Sequence, residues 1–268
     1  MACAIVGDST VSEQACLSLP QVAVSVVSHG QGDLVVPLLQ QLIALRAQLP
    51  LEIVLTENMP TCRTALPIGS ENYVRVLYNE RPLGFGTNHN RAFRLTKAPY
   101  FCVLNPDIRL NDNSLARLLE RVAACPGVAG PRVVGSDGML QDSARKIPGL
   151  IRLAWRKATG RRHADYDSEI PVQNVDWVAG MCLMFDRDTF VRVGGFTENY
   201  QLYCEDVDIC LKIHLIDRAV SWVQGSTVIH DAQRDSHRSL RYLGWHLESI
   251  CRLLTSRPYW KYRLRLQG

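Results

Sequence analysis

The chain has 268 residues, 47% of them hydrophobic and 21% charged, and a formal net charge of +4. This composition excludes a mostly disordered protein and allows one large domain or two small ones with a substantial core. After Asp235 there are seven Arg or Lys residues and one acid, Glu248. We therefore expect an anionic contact near the C-terminus, but no nucleic-acid partner, because no recognised nucleic-acid-binding motif accompanies the charge.

The nine cysteines are widely spaced and form no Cys-x-x-Cys pair. Their odd number and apolar neighbours indicate reduced thiols in a cytoplasmic protein, and their spacing argues against a zinc site. No apolar run approaches the roughly 20 residues of a membrane-spanning helix. The first residues lack the basic-then-apolar pattern of an export signal, so we expect no export.

Residues 1–20 are small and polar, and we expect a loosely attached lead-in with at most an edge strand at 4–6. Residues 21–125 alternate between β-branched buried runs and amphipathic runs with helical spacing. The predicted strands are 21–28, 51–56, 73–78 and 100–104, and the predicted helices are 33–49, 87–95 and 114–124. This alternation predicts an α/β fold with a parallel sheet.

Three of the predicted strands end in polar residues: Ser28 and His29, Glu57 and Asn58, and Asn105, Pro106 and Asp107. The carboxyl ends of parallel strands lie at one edge of a sheet, where α/β proteins bind ligands, so we expect these residues to lie close together. Loops are polar in any case, which accounts well for Glu57 and Asn58. It accounts less well for Asp107, a carboxylate that closely follows a buried strand.

The second half of the chain has a less regular pattern. Its predicted elements are a strand at 128–134, an Asp137-Gly138 turn, a basic loop or short helix at 146–163, a turn and strand at 179–185, a helix at 188–193 and strands at 219–223 and 227–229. The last strand ends at His230. Residues 236–268 are mostly helical by pattern, with apolar residues on one face.

An acidic cluster precedes the last two strands, where Glu205, Asp206 and Asp208 fall within four residues. Acids favour the first turn of a helix, and an apolar run with helical spacing follows, so a solvated helix start is one interpretation. Residues 200–204 are mostly apolar, which indicates the mouth of a pocket instead. Carboxylates placed there are candidates for general-base or metal chemistry.

Asp107, Asp206 and His230 could act together, since two follow strands and one begins a helix. Carboxylate oxygen and imidazole nitrogen suit a divalent ion such as Mn²⁺ or Mg²⁺ with open positions, which a nucleotide diphosphate would fill. A separate carboxylate would then deprotonate the nucleophile. Taken singly, Asp107 and His230 are more typical of a turn and a strand end.

A series of different short motifs is spread along residues 22–236. They are Val24-Ser25-Val26-Val27-Ser28-His29-Gly30, Leu55-Thr56-Glu57-Asn58, the segment 79–90 with Gly84-Phe85-Gly86, Leu104-Asn105-Pro106-Asp107, Asp137-Gly138, Ser143 with Arg145, Val175 to Gly180, Gly194-Gly195-Phe196, Glu205-Asp206-Val207-Asp208 and Val228-Ile229-His230. In this order they resemble the family 2 glycosyltransferases with the GT-A fold, particularly bacterial rhamnosyltransferases. The resemblance implies a Rossmann-like, mixed and mostly parallel central sheet flanked by helices, with a C-terminal helical tail.

The resemblance also implies roles for individual positions. Asp206 would be the general base of an inverting sugar transfer, and Asp107 and His230 would hold Mn²⁺ or Mg²⁺. The acceptor side would be formed by Glu205, Trp177 and Gly180. The nucleotide sugar would be held by Ser28, Glu57, Asn58, Gly84, Phe85, Asn90 and Asn105.

Three residues differ from those most usual at the matching positions of that family. Glu57 stands where Asp is usual, so the contacts with the base are rearranged or a different nucleotide is accepted. Asn105 replaces a second Asp, as is normal in this branch, and leaves one carboxylate in the metal motif. His89 stands where a smaller residue is usual and receives no role.

The resemblance favours dTDP-L-rhamnose as the donor and a lipid-linked glycan of bacterial surface polysaccharide, such as O-antigen, as the acceptor. UDP-linked galactofuranose, glucose or N-acetyl sugars remain open as donors. Two other classes also compete: an inactive module that binds a glycan or a partner enzyme, and a nucleotidyltransferase. The first is disfavoured by the intact Asp107, Asp206 and His230, and the second by the lack of a basic residue in the loop at 29–32.

We expect a catalytic domain at 21–235, divided into a nucleotide-binding half at 21–125 and an acceptor half at 126–235, and a tail at 236–268. The tail mixes Arg and Lys with Trp and Tyr, which suits the anionic headgroups at the inner face of the cell membrane. A terminal helix packed on the domain explains the pattern equally well. The oligomeric state is not indicated.

Overall fold

The structure is a computed structural model that describes residues 21–147, 165–230 and 240–266, with side chains from 244 onward in the last range. Several sequence-based predictions lie outside these residues. They are the lead-in at 1–20 with its edge strand, the loop from 148 to 163, and the first residues of the tail at 236–239.

The described residues form strands and short to medium helices in alternation. The strands are β1 (Val22–Ser28), β2 (Leu51–Glu57), β3 (Val74–Tyr78), β4 (Tyr100–Leu104), β5 (Ile108–Leu110), β6 (Gly127–Val134), β7 (Ala144–Arg145), β8 (Val172–Asn174), β9 (Trp177–Val178), β10 (Cys182–Asp186) and β11 (Ala219–His230). The helices are α1 (Gly32–Leu45), α2 (Phe85–Arg94), α3 (Ser114–Ala124), α4 (Arg187–Arg192), α5 (Glu205–Leu215), α6 (Leu240–Thr255) and α7 (Arg257–Arg265).

One mixed sheet organises the molecule, and its strand order is β3-β2-β1-β4-β10-β6-β11-β5, with β8 paired to β11. The first four strands are parallel. Strand β10 runs antiparallel between β4 and β6, while β11 is parallel to β6. The predicted mixed, mostly parallel sheet with flanking helices is therefore confirmed.

The sheet forms because its central strands are apolar on both faces, as expected for a parallel sheet covered on both sides. Along β1, Val22, Val24 and Val26 belong to one core cluster, and Ala23 belongs to the other. Helix α1 packs Leu38, Leu39 and Leu42 into the first cluster. The second cluster is rich in phenylalanine, and its rings meet edge to face or tilted.

Several predicted boundaries shift in the structure. Helix α1 ends at Leu45 rather than 49, because the following residues tighten into turns before Pro50. Helix α2 begins at Phe85, two residues before the prediction. The two strands predicted at 219–223 and 227–229 form one strand, β11, with a register shift between Val223 and Thr227. A bulge of this kind keeps a strand continuous while bending it.

The tail folds as two helices, and the second packs on α5. Ser256 separates them and caps α7 by accepting the backbone N–H of Tyr259. Tyr259 and Tyr262 are buried in a cluster with Val207 and Leu211 of α5. Within the described ranges, no helix combines the length and the apolar character needed to cross a bilayer.

Candidate active site

The polar strand ends predicted from the sequence do meet at one edge of the sheet. Ser28 and Glu57 are register partners at the ends of β1 and β2. Strand β4 lies on the other side of β1, with Leu104 opposite Val26, so the segment that starts at Asn105 leaves the sheet at the same edge. Asp107 follows two residues later.

Asp107 and His230 are brought together by a short strand that the sequence pattern did not predict. Strand β5 pairs antiparallel with the end of β11, and Ile108 is opposite His230. As a result, Asp107 Oδ2 lies 3.1 Å from His230 Nε2. Both side chains are largely but not fully buried, with 18% and 15% of their surface exposed.

The Asp107–His230 pair fits a divalent ion whose coordination is completed from outside the protein. The second carboxylate oxygen, Asp107 Oδ1, is buried and has no hydrogen-bond partner among the described residues. An oxygen and a nitrogen donor suit Mn²⁺ or Mg²⁺. The described residues contain no group of three or more His, Cys, Asp or Glu arranged as a metal site. An ion held by Asp107 and His230 alone would have most of its coordination positions open to ligands from outside the protein.

Ser28 and Glu57 present unpaired oxygens at the neighbouring strand ends. Glu57 Oε1 accepts the backbone N–H of Thr64 at 2.7 Å. Glu57 Oε2 and Ser28 Oγ are buried without a partner in the part of the chain that the structure describes. Buried polar atoms are normally hydrogen-bonded, so such atoms at a ligand-binding edge are candidates for ligand contact.

Asn58 has a different environment, since it belongs to an amide cluster formed with Asn79 and Asn88. Its Oδ1 accepts from Asn79 Nδ2 and from the backbone N–H of Leu83, both at 2.8 Å. Its Nδ2 donates to Leu83 O at 3.0 Å and lies 3.2 Å from His29 Nδ1. All four bonds of an asparagine amide are thus made within the protein. Asn58 therefore holds the loop before α2, and its predicted contact with the nucleotide stays a prediction.

Asn90 has protein partners at both ends of its amide, and its predicted contact with the nucleotide stays a prediction. Its Oδ1 accepts the backbone N–H of Phe196 at 3.0 Å, and its Nδ2 donates to Phe196 O and to Glu198 Oε1. The buried amide therefore fastens the Gly194-Gly195-Phe196 turn to α2. Both amide hydrogens are occupied, one by Phe196 O and the other by Glu198 Oε1.

Gly84 and Phe85 join α2 to the segment before α5. A Cβ on Gly84 would lie 2.7 Å from the carbonyl oxygen of Tyr200, so only glycine allows this approach. The backbone N–H of Phe85 donates to Gln201 O at 3.3 Å, and the Phe85 ring packs edge to face on Phe196. The two residues thus position the acidic cluster, and their predicted nucleotide contact stays a prediction.

The acidic cluster begins α5 after a sharp turn. Tyr203 and Cys204 both have positive φ, +74° and +66°, a conformation that costs side-chain-bearing residues energy and is concentrated at functional sites. The turn directs the carboxylate of Asp206 toward Gly180, whose backbone N–H donates to Asp206 Oδ2 at 3.0 Å. Asp206 Oδ1 accepts the N–H of Val207 at 2.8 Å.

Burial raises the pKa of Asp206 above its ordinary value, although the N–H groups of Gly180 and Val207 act in the opposite direction. Burial, and then the charge of Asp206, raise the pKa of Glu205 to about 8. Glu205 Oε2 has no partner among the described residues. A carboxylate with a raised pKa is a stronger base, so the pair suits proton transfer.

Asp208 is distinct from the other two acids. A solvated helix start is one interpretation of the three acids, and Asp208 does lie in the first turn of α5, but it is buried rather than solvated. Its Oδ2 accepts from Thr197 Oγ1 at 2.6 Å and lies 3.6 Å from Lys212 Nζ. Lys212 in turn donates to Gly195 O. Asp208 therefore anchors the turn at 194–197.

Two hydrogen bonds donated by backbone N–H groups connect the predicted metal motif to the acidic cluster. Asn105 N–H donates to Met181 O at 2.9 Å, and the neighbouring Gly180 donates to Asp206. Strands β4 and β10 continue this contact, with Leu104 opposite Cys182. The predicted residues Asn105, Gly180 and Asp206 are therefore adjacent in space.

Trp177 lies in the small sheet formed by β7 and β9, where it is opposite Arg145. The Trp177 Nε1 donates to Lys146 O at 3.2 Å, and the Arg145 guanidinium lies 5.5 Å from the Trp177 ring centre. The charge of Arg145 acts to lower the pKa of Asp206, so this pair borders the acidic cluster.

Two side chains near the site received no role from sequence. His89 is buried in the core, 2.8 Å from Ser25 Oγ, and burial lowers its pKa to about 3, so it stays neutral and structural. Gln141 hydrogen-bonds to His230. The signal for Gln141 was its position just after the predicted Asp137-Gly138 turn.

The mixed sheet, with a carboxylate–histidine pair and a buried carboxylate at one edge, has the features expected of a nucleotide-sugar transferase with the GT-A fold. The profile of glycosyl transferase family 2 matches residues 24–190. The chain belongs to this family and is a glycosyltransferase.

Two curated relatives are rhamnosyltransferases. The N-acetylglucosaminyl-diphospho-decaprenol L-rhamnosyltransferase of Mycobacterium tuberculosis is 28% identical over 253 residues, which cover 83% of this chain and 81% of the relative. The rhamnosyltransferase WbbL of Escherichia coli K12 is 29% identical over 251 residues, which cover 87% of this chain and 92% of the relative.

Among solved structures, the mannosyltransferase PcManGT from Pyrobaculum calidifontis in complex with GDP-Man and Mn²⁺ matches with a TM-score of 0.57 and 16% identity. The match covers 87% of this chain but 65% of that one, so this chain spans less than two thirds of its length. At this identity the likeness concerns the fold alone.

Proposed function

We propose that the chain transfers L-rhamnose from dTDP-L-rhamnose, with inversion at the anomeric carbon, to a lipid-linked glycan of bacterial surface polysaccharide. The observation that carries the proposal is the adjacency of two groups: the Asp107–His230 pair, and the buried Asp206 carboxylate connected to it through Met181 and Gly180. The two relatives named rhamnosyltransferases, each matching over four fifths of this chain, support the donor.

Asp206 is proposed as the general base. It would take the proton from the acceptor hydroxyl as that oxygen attacks the anomeric carbon opposite the leaving diphosphate. Burial raises its pKa, which strengthens it as a base, and two backbone N–H groups hold its orientation. Because only the ionised form accepts the proton, turnover should fall as the pH drops through this raised pKa.

Glu205, Trp177 and Gly180 are proposed to form the acceptor side. Glu205 has an unpaired oxygen beside Asp206, and Trp177 presents a ring next to Arg145. The mycobacterial relative is named for an N-acetylglucosaminyl-diphospho-decaprenol acceptor. A diphosphate-linked acceptor carries negative charge, which Arg145 could balance at this border.

On the donor side, Asp107 and His230 would hold a divalent ion, and Ser28, Glu57 and Asn105 would contact the nucleotide sugar. The bound ion would neutralise charge on the departing diphosphate. The unpaired oxygens of Ser28, Glu57 and Asp107 support these assignments. Mn²⁺ and Mg²⁺ both suit this donor set.

The test is transfer with purified protein, dTDP-L-rhamnose, a short-chain N-acetylglucosaminyl-diphospho-lipid, and Mn²⁺ or Mg²⁺. We expect release of dTDP that depends on both acceptor and metal. Asp206→Asn should lower turnover by roughly 1,000-fold, since a positioned base contributes about 10²- to 10⁴-fold. Asp217→Asn is a matched control, because Asp217 is exposed at the far end of α5.

Parallel assays with UDP-galactofuranose, UDP-glucose and UDP-N-acetylglucosamine test the identity of the donor separately from the mechanism of transfer. Turnover with a UDP-sugar but not with dTDP-rhamnose would replace the donor and keep the mechanism. Undiminished turnover in Asp206→Asn would overturn the assigned base. Binding of a glycan without turnover of any sugar nucleotide would favour the inactive module.

We also propose that α7 contacts the membrane surface. Tyr259 and Tyr262 are buried against the domain, which leaves Trp260 and Leu264 exposed at 55% and 65% on the other side, with Lys261 between them. An exposed apolar and basic helix face suits anionic headgroups. Vesicles containing phosphatidylglycerol should sediment the full chain, and the double variant Trp260→Ala, Leu264→Ala should remain in solution. Equal sedimentation of both proteins would contradict this contact.

A further inference from the structure

A tight turn follows β6 and brings one glutamine, Gln141, against the end of β11. Gly138 has φ of +76°, which glycine adopts without strain, and Asp137 Oδ1 accepts the backbone N–H of Met139 at 2.9 Å. The backbone N–H of Gln141 then bonds to β6 at 2.8 Å. The predicted Asp137-Gly138 turn therefore has a consequence for the site, because it places Gln141 beside His230.

The side chain of Gln141 is bonded to His230 at both ends of its amide. Gln141 Nε2 donates to the backbone carbonyl oxygen of His230 at 3.2 Å, and Gln141 Oε1 lies 2.7 Å from ring Nδ1. A carbonyl oxygen only accepts, so the first bond determines which end of the amide faces the ring. Oε1 also only accepts, so Nδ1 must carry a proton.

A proton on Nδ1 leaves the neutral imidazole with its lone pair on Nε2. This atom faces Asp107 Oδ2 at 3.1 Å, so two acceptors meet unless a positive charge joins them. The other oxygen of Asp107 is buried without a partner among the described residues. A histidine that binds a metal needs this arrangement: a lone pair toward the ion and the opposite ring N–H donated to a fixed acceptor.

We infer that Gln141 is a positioning residue for the metal site, which holds His230 with Nδ1 protonated and Nε2 open to the ion. The role of Gln141 toward a metal rests on the proposed function, which assigns Asp107 and His230 as metal ligands. The tautomer itself follows from the hydrogen bonds of Gln141 and is independent of donor and acceptor.

The direct test is the tautomer of His230 in the metal-free protein, read by long-range ¹H–¹⁵N correlation on protein labelled at histidine. The spectra are taken at pH 8, and His230→Asn identifies the signals. We expect the Nδ1–H form in the wild type and a shift toward Nε2–H in Gln141→Met, which matches the length of glutamine but offers no carbonyl. Gln141→Glu keeps an acceptor at Nδ1 and should restore the Nδ1–H form.

The second measurement is the affinity for Mn²⁺ in the presence of dTDP and, separately, of UDP, followed by electron paramagnetic resonance of free Mn²⁺. Loss of a residue that orients a metal ligand typically weakens binding about 10- to 100-fold, and we expect a loss in this range for Gln141→Met. The affinity of Gln141→Glu should lie near the wild-type value.

Gln41 provides a matched control within the same region. It also uses both ends of its amide on one residue, donating to Leu110 O at 3.2 Å and accepting Leu110 N–H at 3.1 Å, and it thereby clamps β5 at the end away from His230. Gln41→Met should cost stability but leave the tautomer of His230 and the Mn²⁺ affinity unchanged.

The outcomes separate this inference from the proposed function. An Nε2–H tautomer in the wild type, or an unchanged tautomer in Gln141→Met, overturns the inference. An equal loss of Mn²⁺ affinity in Gln41→Met and Gln141→Met also overturns it, because the effect would then be structural. A wild type with the expected tautomer but no Mn²⁺ binding counts against the proposed metal site and leaves the orientation by Gln141 standing.

Discussion

Two groups of buried polar side chains lie at the same edge of the sheet, and they differ in how far their hydrogen bonds are satisfied. In the amide cluster, Asn79 Nδ2 donates to Asn58 Oδ1 at 2.8 Å and to Asn88 Oδ1 at 2.7 Å, and the Asn58 amide is fully bonded. The second group is Ser28, Glu57, Asp107 and Glu205, each of which has an oxygen without a partner in the described structure. We refer to these four residues as the open group.

The difference separates residues that hold the site from residues available to a ligand. An unsatisfied buried polar atom costs about 1–3 kcal/mol. Several such atoms at one place therefore indicate that a ligand supplies the missing hydrogen bonds. Burial alone does not distinguish the two groups, because apart from Asp107 their side chains are all at most 5% exposed. The groups differ in residue type, three asparagines against one serine and three carboxylic acids, and in one further property. That property is the number of free bonding positions.

The sharpest test of the comparison is Asp107→Asn in the open group. Loss of the carboxylate charge should lower kcat/KM by about 100-fold or more, because a catalytic metal contributes several kcal/mol. Steady-state kinetics with saturating metal would measure it. Asp112→Asn, an exposed acid five residues later, should behave as wild type. A similar rate for both variants would remove Asp107 from the site.

In the amide cluster, Asn79→Ala should act on stability instead. It removes the donor to Asn88 Oδ1, one of the two donors to Asn58 Oδ1 and the acceptor of Arg91, so we expect a loss of about 2–3 kcal/mol in the free energy of unfolding. Denaturant titration measures this loss, and kcat of the folded protein should change little. Exposed Asn111→Ala is the control. A large fall in kcat without loss of stability would move Asn79 into the reaction.

Glu205 should give the open group a pH signature. Its pKa is raised to about 8 by burial and by Asp206, so the folded state binds a proton that the unfolded state releases near its ordinary value. Stability is then lost as the pH rises from the ordinary value through the raised one. Glu205→Gln should raise the melting temperature by several degrees at pH 9 and leave it nearly unchanged at pH 4.

The contrast for Glu205 is Asp208, a buried acid whose oxygen already has partners. Asp208→Asn should lower the melting temperature at both pH values, because it weakens the contacts with Thr197 and Lys212. If Glu205→Gln instead destabilised the protein at pH 9, the carboxylate would have a partner that the structure does not show.

The smallest expected effect comes from two serines on β1. Ser28→Ala removes a buried hydroxyl without a partner among the described residues, so the free energy of unfolding should rise by about 1 kcal/mol. KM for the donor should rise about fivefold, the value of one ordinary hydrogen bond. Ser25→Ala removes a hydroxyl that is paired with His89 at 2.8 Å, and should lower stability at constant KM. A raised KM in Ser25→Ala with no change of KM in Ser28→Ala would show that an unpaired oxygen does not identify a residue that contacts the ligand.

Much of this arrangement could be predicted from sequence, because the strand ends are carried by local patterns. Strands β1, β2 and β4 are runs of buried residues with polar ends, and their parallel order brings those ends together. The sequence predicts that Asp107 and His230 act together, because their side chains suit one metal ion. It does not predict strand β5, which brings them together, because three residues are too few to show an alternating pattern.

The sequence could not show that Asn58 and Asn90 bond to other parts of the protein. An amide that binds a ligand and an amide that supports a loop can occupy the same position in a motif. The protein partners of these two residues, Leu83 and Phe196, come from loops whose approach depends on tertiary packing. The continuous β11 was also missed, since Gln224, Gly225 and Ser226 look like a break when they form a bulge.

The bond from Asn105 to Met181 fastens the proposed metal motif to an antiparallel strand pair, and Gly180 fastens the proposed base to the next residue. The spacing between the proposed metal motif and the proposed base is therefore set by the register of the sheet. Acceptor preference, by contrast, would depend on the small sheet at Trp177 and on the tail, which lie outside that register. On these proposed assignments, an exchange of peripheral segments would change the acceptor, while the distance between the metal motif and the base would stay constant.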